Sequence, residues 1–187
     1  MAHSSLERLR KVRDIEVRWM SYELRPERQS TPEEDRQMAA YRRKVDANWP
    51  NVQAMAQNYG LQFGPRNHNH RSRLSLEAEK FAEETGLADE YAERLFRAHF
   101  CETRDLSQPE TLVELGQEVG LDGEALRQSL ETRSMRERVD RELALGFMYK
   151  LSGVPAFIIG RKYLVVGAQP LETLVDVVDK CVTEGVS

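Results

Sequence analysis

Residues able to carry covalent or metal chemistry are few in this chain, and they are scattered. The 187 residues include two cysteines, Cys101 and Cys181. They lie far apart, and neither belongs to a Cys-x-x-Cys, the spacing of a redox dithiol. Cys101 has apolar neighbours on a helical pattern and Cys181 ends the last one, so both read as small buried or half-buried thiols. A regulatory pair would need the fold to bring them together. Ser4 and Ser5 stand at the start of the first helical pattern, with no neighbouring base to activate a hydroxyl. They read as helix caps. His68 and His70 flank an asparagine in a polar loop, and His99 lies on a helical pattern. No carboxylate or cysteine completes a ligand spacing around these imidazoles, so neither a metal nor a cofactor is read. One backbone feature remains: Gly153-Val154-Pro155, directly ahead of the apolar run Ala156-Phe-Ile-Ile159. On local rules alone the proline merely starts an edge strand.

The elements that would position these residues fall into three stretches. Leu6, Leu9 and Val12 recur at helical spacing, and Asp14-Ile-Glu-Val-Arg-Trp-Met20 then alternates with Ile15, Val17 and Trp19 on one face, the pattern of a half-buried strand. From Thr31 to about 149 the chain reads as continuous helix. Thr31-Pro32-Glu33-Glu34 is a capping box with proline at the first helical position, and Ser107-Gln-Pro109-Glu110 reads as a second. Met38, Tyr41 and Val45 mark the inner stripe of one helix. Pro50 breaks it or begins another carrying Val52, Met55 and Tyr59. Further stripes follow at Leu74 to Ala82, Tyr91 to Phe100, Asp122 to Leu130 and Met135 to Leu145. The ending differs: Ala156–Ile159 and Tyr163–Val166 form a hairpin about Gly160-Arg-Lys162, and Gln169-Pro170 opens a last helix buried through Leu171, Leu174, Val175, Val178 and Val182.

Composition narrows the function classes. A net charge of −4 with interleaved signs and only short basic spots at Arg42-Arg43-Lys44 and Arg71 with Arg73 argue against a nucleic-acid partner. No apolar run approaches the ~20 residues of a membrane span. No secretory pattern precedes Leu6, and the expected location is cytoplasmic.

The order helix, strand, helical block, hairpin, helix is that of an α/β thioredoxin fold with its first strand missing and a large all-helical insertion. Leu151-Ser-Gly-Val-Pro-Ala-Phe-Ile-Ile159 and Lys162-Tyr-Leu-Val-Val-Gly-Ala-Gln-Pro170 resemble the C-terminal half of DsbA-family oxidoreductases. The FrnE-like branch is nearest, together with the 2-hydroxychromene-2-carboxylate isomerases and kappa-class glutathione transferases. Val17-Arg-Trp-Met-Ser-Tyr-Glu-Leu-Arg-Pro26, Asn69-His-Arg-Ser-Arg-Leu-Ser-Leu-Glu-Ala78 and Leu95-Phe-Arg-Ala-His-Phe100 fit the same branch.

The resemblance implies a thioredoxin-like domain from 1–30 and 150–187, incomplete, and a helical insertion domain from 31–149. It implies a cis bond between Val154 and Pro155, with both residues binding an extended thiol or disulfide peptide or protein. It also implies a Cys-Pro-x-Cys at the start of the first helix, where unpaired N–H groups favour a thiolate. That motif is expected just ahead of Ala2, so no catalytic residue is assigned within the chain, and the chain as written is expected to be inactive in thiol exchange. The alternatives are a glutathione-dependent isomerase or transferase using serine, and a non-enzymatic peptide binder whose open sheet pairs with a second chain as a homodimer. Phe147-Met-Tyr-Lys150 stands as an insertion relative to this pattern.

Overall fold

The computed structural model describes residues 2–24, 31–58, 60–66 and 71–186. They form two compact units, one of residues 1–24 with 142–187 and the other of residues 25–141.

The discontinuous unit begins with α1 (Ala2–Val12). Ser4 and Ser5 lie inside this helix and do not cap it; the buried Ser5 hydroxyl instead donates to the Gln169 carbonyl at 3.3 Å. At the helix end, Arg13 clamps Asp179 through two hydrogen bonds of 2.6 Å.

The segment after α1 keeps the alternation its sequence predicts: Ile15, Val17 and Trp19 are half-buried, with Glu16 and Arg18 exposed between them. It is not a strand, however. A strand is defined by a hydrogen-bonded neighbour, and the backbone from Asp14 to Val17 has no such partner among the described residues.

The other unit is helical, and a capping box at Thr31 opens α2 (Pro32–Gln57). The box closes as expected, with Thr31 Oγ1 accepting from the Glu34 N–H and Glu34 accepting from the Thr31 N–H at 2.9 Å. Pro50 does not break α2, which runs straight through it. The inward stripe is Met38, Val45, Trp49, Val52 and Ala56; Tyr41 and Met55 face solvent, and Tyr59 lies outside the described residues. Trp49 stacks on Phe63, which stacks on Phe100.

The helices α3 (Arg73–Glu84), α4 (Ala88–Phe100), α5 (Pro109–Glu118) and α6 (Gly123–Thr132) follow. They close over one core of Ala78, Ala82, Tyr91, Leu112, Leu115 and Leu126. Apolar residues at spacings of three and four put one face of each helix against it. The second expected capping box is not formed: Ser107 bonds Asp105, and Gln108 occupies the cap position of α5.

Charged groups are also buried here. Glu77, 2% exposed, receives Arg133 Nε and Nη2 at 2.6 and 2.8 Å and Arg73 Nε at 2.8 Å.

The division between the units falls within α7 (Arg136–Met148). Beyond it come β1 (Ala156–Ile159), β2 (Tyr163–Val166) and α8 (Leu171–Thr183). The strands pair antiparallel in the register Ala156 with Val166 through Ile159 with Tyr163. Leu6 and Leu9 of α1 and Leu174 and Val178 of α8 form a second core, onto which Ile15, Val17, Trp19, Phe157, Ile159 and Val165 pack. No helix among the described residues is long and apolar enough to cross a membrane.

Candidate functional site

The turn between α7 and β1 carries the candidate site. Helix α7 ends in a Schellman motif: Lys150 adopts a left-handed φ of 54°, its N–H bonds the Phe147 carbonyl at 2.9 Å, and the Leu151 N–H bonds the Gly146 carbonyl at 3.0 Å. Phe147 and Met148 are therefore the last residues of the helix, 83% and 76% exposed. Leu151 is held from its other side as well, because the Tyr22 hydroxyl donates to its carbonyl at 3.1 Å.

Past Leu151 the chain passes through Ser152, Gly153 and Val154 into a cis Val154–Pro155 peptide bond. Val154 is 51% exposed. Neither its N–H nor its carbonyl has a partner among the described residues. The Pro155 carbonyl, by contrast, accepts the Gly167 N–H at 2.8 Å. Because successive strand residues point their backbone groups to opposite edges, this bond turns Pro155, Phe157 and Ile159 toward β2. The polar groups of Ala156 and Ile158 consequently lie along the other edge.

A buried polar cluster adjoins the turn. Glu142 on α7 is 3% exposed, and its Oε2 accepts the Ser21 N–H at 2.7 Å while Arg18 Nη2 stands 3.6 Å from its other oxygen. Tyr22, next along, lays its ring against Gly146, where an added Cβ would come within 3.3 Å of Cδ2. Sequence reasoning missed Glu142, and it met Ser21 and Tyr22 only inside a longer family-like run. Their partners lie 121 and 129 positions away, a separation no local pattern reveals.

The other chemistry-bearing residues are elsewhere. Cys181 is buried in α8 beneath the far hairpin turn, its Sγ 2.9 Å from where a Cβ on Gly160 would lie. The four residues of β1 put about 13 Å of strand, at ~3.3 Å per residue, between that turn and the Val154–Pro155 turn. Cys101, also free, follows α4 in the helical unit. His99 packs edge-on to Phe100 in that unit, and burial holds its imidazole below the ordinary range. His68 and His70 lie outside the described residues, as does the side chain of His3. Among the described residues no three metal-ligating side chains cluster. Of the expected basic spots, Arg42, Arg43 and Lys44 form an exposed helix face, whereas Arg73 is engaged by Glu77 and Asp140.

A two-stranded hairpin packed against a core shared by an N-terminal and a C-terminal helix, with a proline turn ahead of it and a helical unit inserted, defines a thioredoxin-like protein. The DSBA-like thioredoxin domain family matches residues 1–179. The chain belongs to that family. YwbO of Bacillus subtilis (strain 168) is 35% identical over 156 residues, covering 80% of this chain and 74% of YwbO. Among solved structures, a probable DsbA oxidoreductase from Streptomyces coelicolor superposes with a TM-score of 0.84 at 26% identity, over 98% of this chain and 85% of that one. A 2-hydroxychromene-2-carboxylate isomerase shares the fold at a TM-score of 0.77 and 20% identity, over 98% and 90% of the two chains.

Proposed function

We propose that the chain is a DsbA-type protein of the FrnE-like branch serving thiol–disulfide exchange, in which the Val154–Pro155 turn holds an extended thiol or disulfide peptide. The observation that carries this reading is the half-exposed Val154, whose N–H and carbonyl stand unpartnered among the described residues two positions ahead of β1, where Ala156 and Ile158 face the edge away from β2. An extended backbone pairs with such an edge by the same N–H and C=O bonds that build a sheet. The family match and the Streptomyces relative support exchange chemistry.

Neither Cys101 nor Cys181 lies in a Cys-x-x-Cys, and Cys181 sits at the wrong end of the hairpin to act beside Val154. The residues described supply the seat for the peptide and not the exchanging sulfur pair. Serine chemistry has less support, because Ser5 is buried within α1 and its hydroxyl is spent on Gln169.

Two measurements test the reading. Titration with a seven-residue peptide holding one S-methylated cysteine between β-branched residues shifts the Val154 amide resonance, with the α5 and α6 resonances unmoved. A version with a strand and Cys-Pro-x-Cys grafted ahead of α1 accelerates insulin reduction by dithiothreitol, whereas the same graft with both cysteines changed to alanine does not. A silent titration together with an inactive graft refutes it.

A further inference from the structure

We infer that Tyr22 and Glu142 are positioning residues for the Val154 turn, acting in series through Ser21 and Leu151. This rests on the reading of that turn as a peptide seat. Two pinned carbonyls bracket the turn: Leu151, held by the Tyr22 hydroxyl at 3.1 Å, and Pro155, held by the Gly167 N–H at 2.8 Å. Between them, Ser152, Gly153 and Val154 have no hydrogen bond among the described residues, and an added Cβ on Gly153 would meet nothing within 4 Å. The seat is suspended from two points, and Tyr22 supplies one of them.

Tyr22 is itself placed from two sides. Its ring rests on Gly146, where a side chain would crowd it at 3.3 Å. Its backbone is fixed one residue earlier, where the Ser21 N–H donates to Glu142 at 2.7 Å. A carboxylate as buried as Glu142 is costly to desolvate and is retained where it is hydrogen-bonded. Here the partner is the backbone that aims Tyr22. Glu142 and Gly146 are one turn apart on α7, so the carboxylate, the ring and the Schellman turn are all referred to the same few residues of helix.

The consequence is conformational. A ligand that needs the turn in one arrangement binds with an affinity reduced by the fraction of molecules not in it. Losing one tether, a neutral hydrogen bond of ordinary strength, shifts the equilibrium between arrangements by up to about tenfold.

The test compares Tyr22→Phe, Glu142→Ala, Glu142→Gln and the double variant Y22F/E142A. Tyr22→Phe keeps the ring on Gly146 and carries the test even where Glu142→Ala fails to fold. Expected are changed shifts and lowered order parameters at the Ser152, Gly153 and Val154 amides, with the β2 amides unmoved, and binding of the S-methylcysteine peptide weakened up to about tenfold. Glu142→Gln, whose amide carbonyl still accepts from Ser21, retains wild-type behaviour. The double variant is no worse than Tyr22→Phe, since both act through one linkage. Wild-type turn amides in Tyr22→Phe, or additive losses in the double variant, overturn the inference. Perturbed turn amides with no peptide binding by any version, wild type included, leave the positioning role standing and refute the peptide seat instead.

Discussion

Two residues with side chains hold the same left-handed backbone geometry at helix ends, and replacing each with glycine is expected to have opposite effects. Lys150 ends α7 at φ 54° and Arg133 ends α6 at φ 56°. An L-residue in this region costs about 1–2 kcal/mol, and glycine returns ~0.5–1 of that as lost chain entropy. Lys150 has an exposed side chain, so Lys150→Gly stabilises its unit by about 0.5–1 kcal/mol. Arg133 gains the same backbone relief but forfeits both of its bonds to Glu77, a carboxylate only 2% exposed. Removing one partner of a fully buried pair costs about 3–5 kcal/mol; Arg133 is itself 39% exposed and Arg73 remains to hold the carboxylate, so no more than about 3 applies. The net loss for Arg133→Gly is then up to about 2 kcal/mol.

The chain has two tryptophans, Trp19 in the discontinuous unit and Trp49 in the helical one. Urea melts of single-tryptophan versions therefore read the two units separately. The Trp19 midpoint rises in Lys150→Gly and the Trp49 midpoint falls in Arg133→Gly, with slopes unchanged. Shifts of the same sign, or a stabilised Arg133→Gly, would show that helix-end strain and the buried ion pair have been wrongly weighed.

Other outcomes follow from the same structure. Burial pushes the Glu77 carboxyl up, but the bonds from Arg133 and Arg73 outweigh it and hold it below the ordinary 4.5. The folded unit thus binds fewer protons than the unfolded chain, and this stabilisation, complete above pH 4.5, is lost as pH falls through the lower folded value. Glu77→Gln is accordingly less stable than wild type at pH 7, and urea melts on Trp49 show the gap closing on acidification. Gly160→Ala meets both a φ of +57° and a 2.9 Å approach to Cys181 Sγ, so it lowers the stability read by Trp19 by about 2 kcal/mol. Tyr91 is fully buried and donates to the Leu112 carbonyl at 2.8 Å; Tyr91→Phe costs about 1–2 kcal/mol in the same melts.

What could be read beforehand was local. The hairpin about Gly160, the last helix and the capping box at Thr31 each announce themselves within a few residues and all three form, although Val182, read on the buried side of the last helix, is 73% exposed and Cys181 is buried in its stead. The run from Ile15 to Trp19 shows where such reading stops. Its alternation correctly foretold which side chains would be buried, yet the hydrogen bonds that make a strand depend on a neighbour that alternation does not contain. Pro50 misled for the converse reason. A proline weakens one turn of a helix, but α2 continues because Trp49, Val52 and Ala56 on either side of it are packed. The contacts around the candidate site were beyond local inference altogether. Glu142 meets Ser21, and Tyr22 meets Leu151, only after the whole helical unit has intervened in the chain.

The placing of Cys181 gives the molecule a built-in clock. Its thiol lies under the Gly160 turn with Val186 close beside it, so an alkylating reagent reaches the sulfur only while the turn has lifted away from α8. The rate of labelling at that one atom, measured in native buffer, counts how often the tip of the sheet opens.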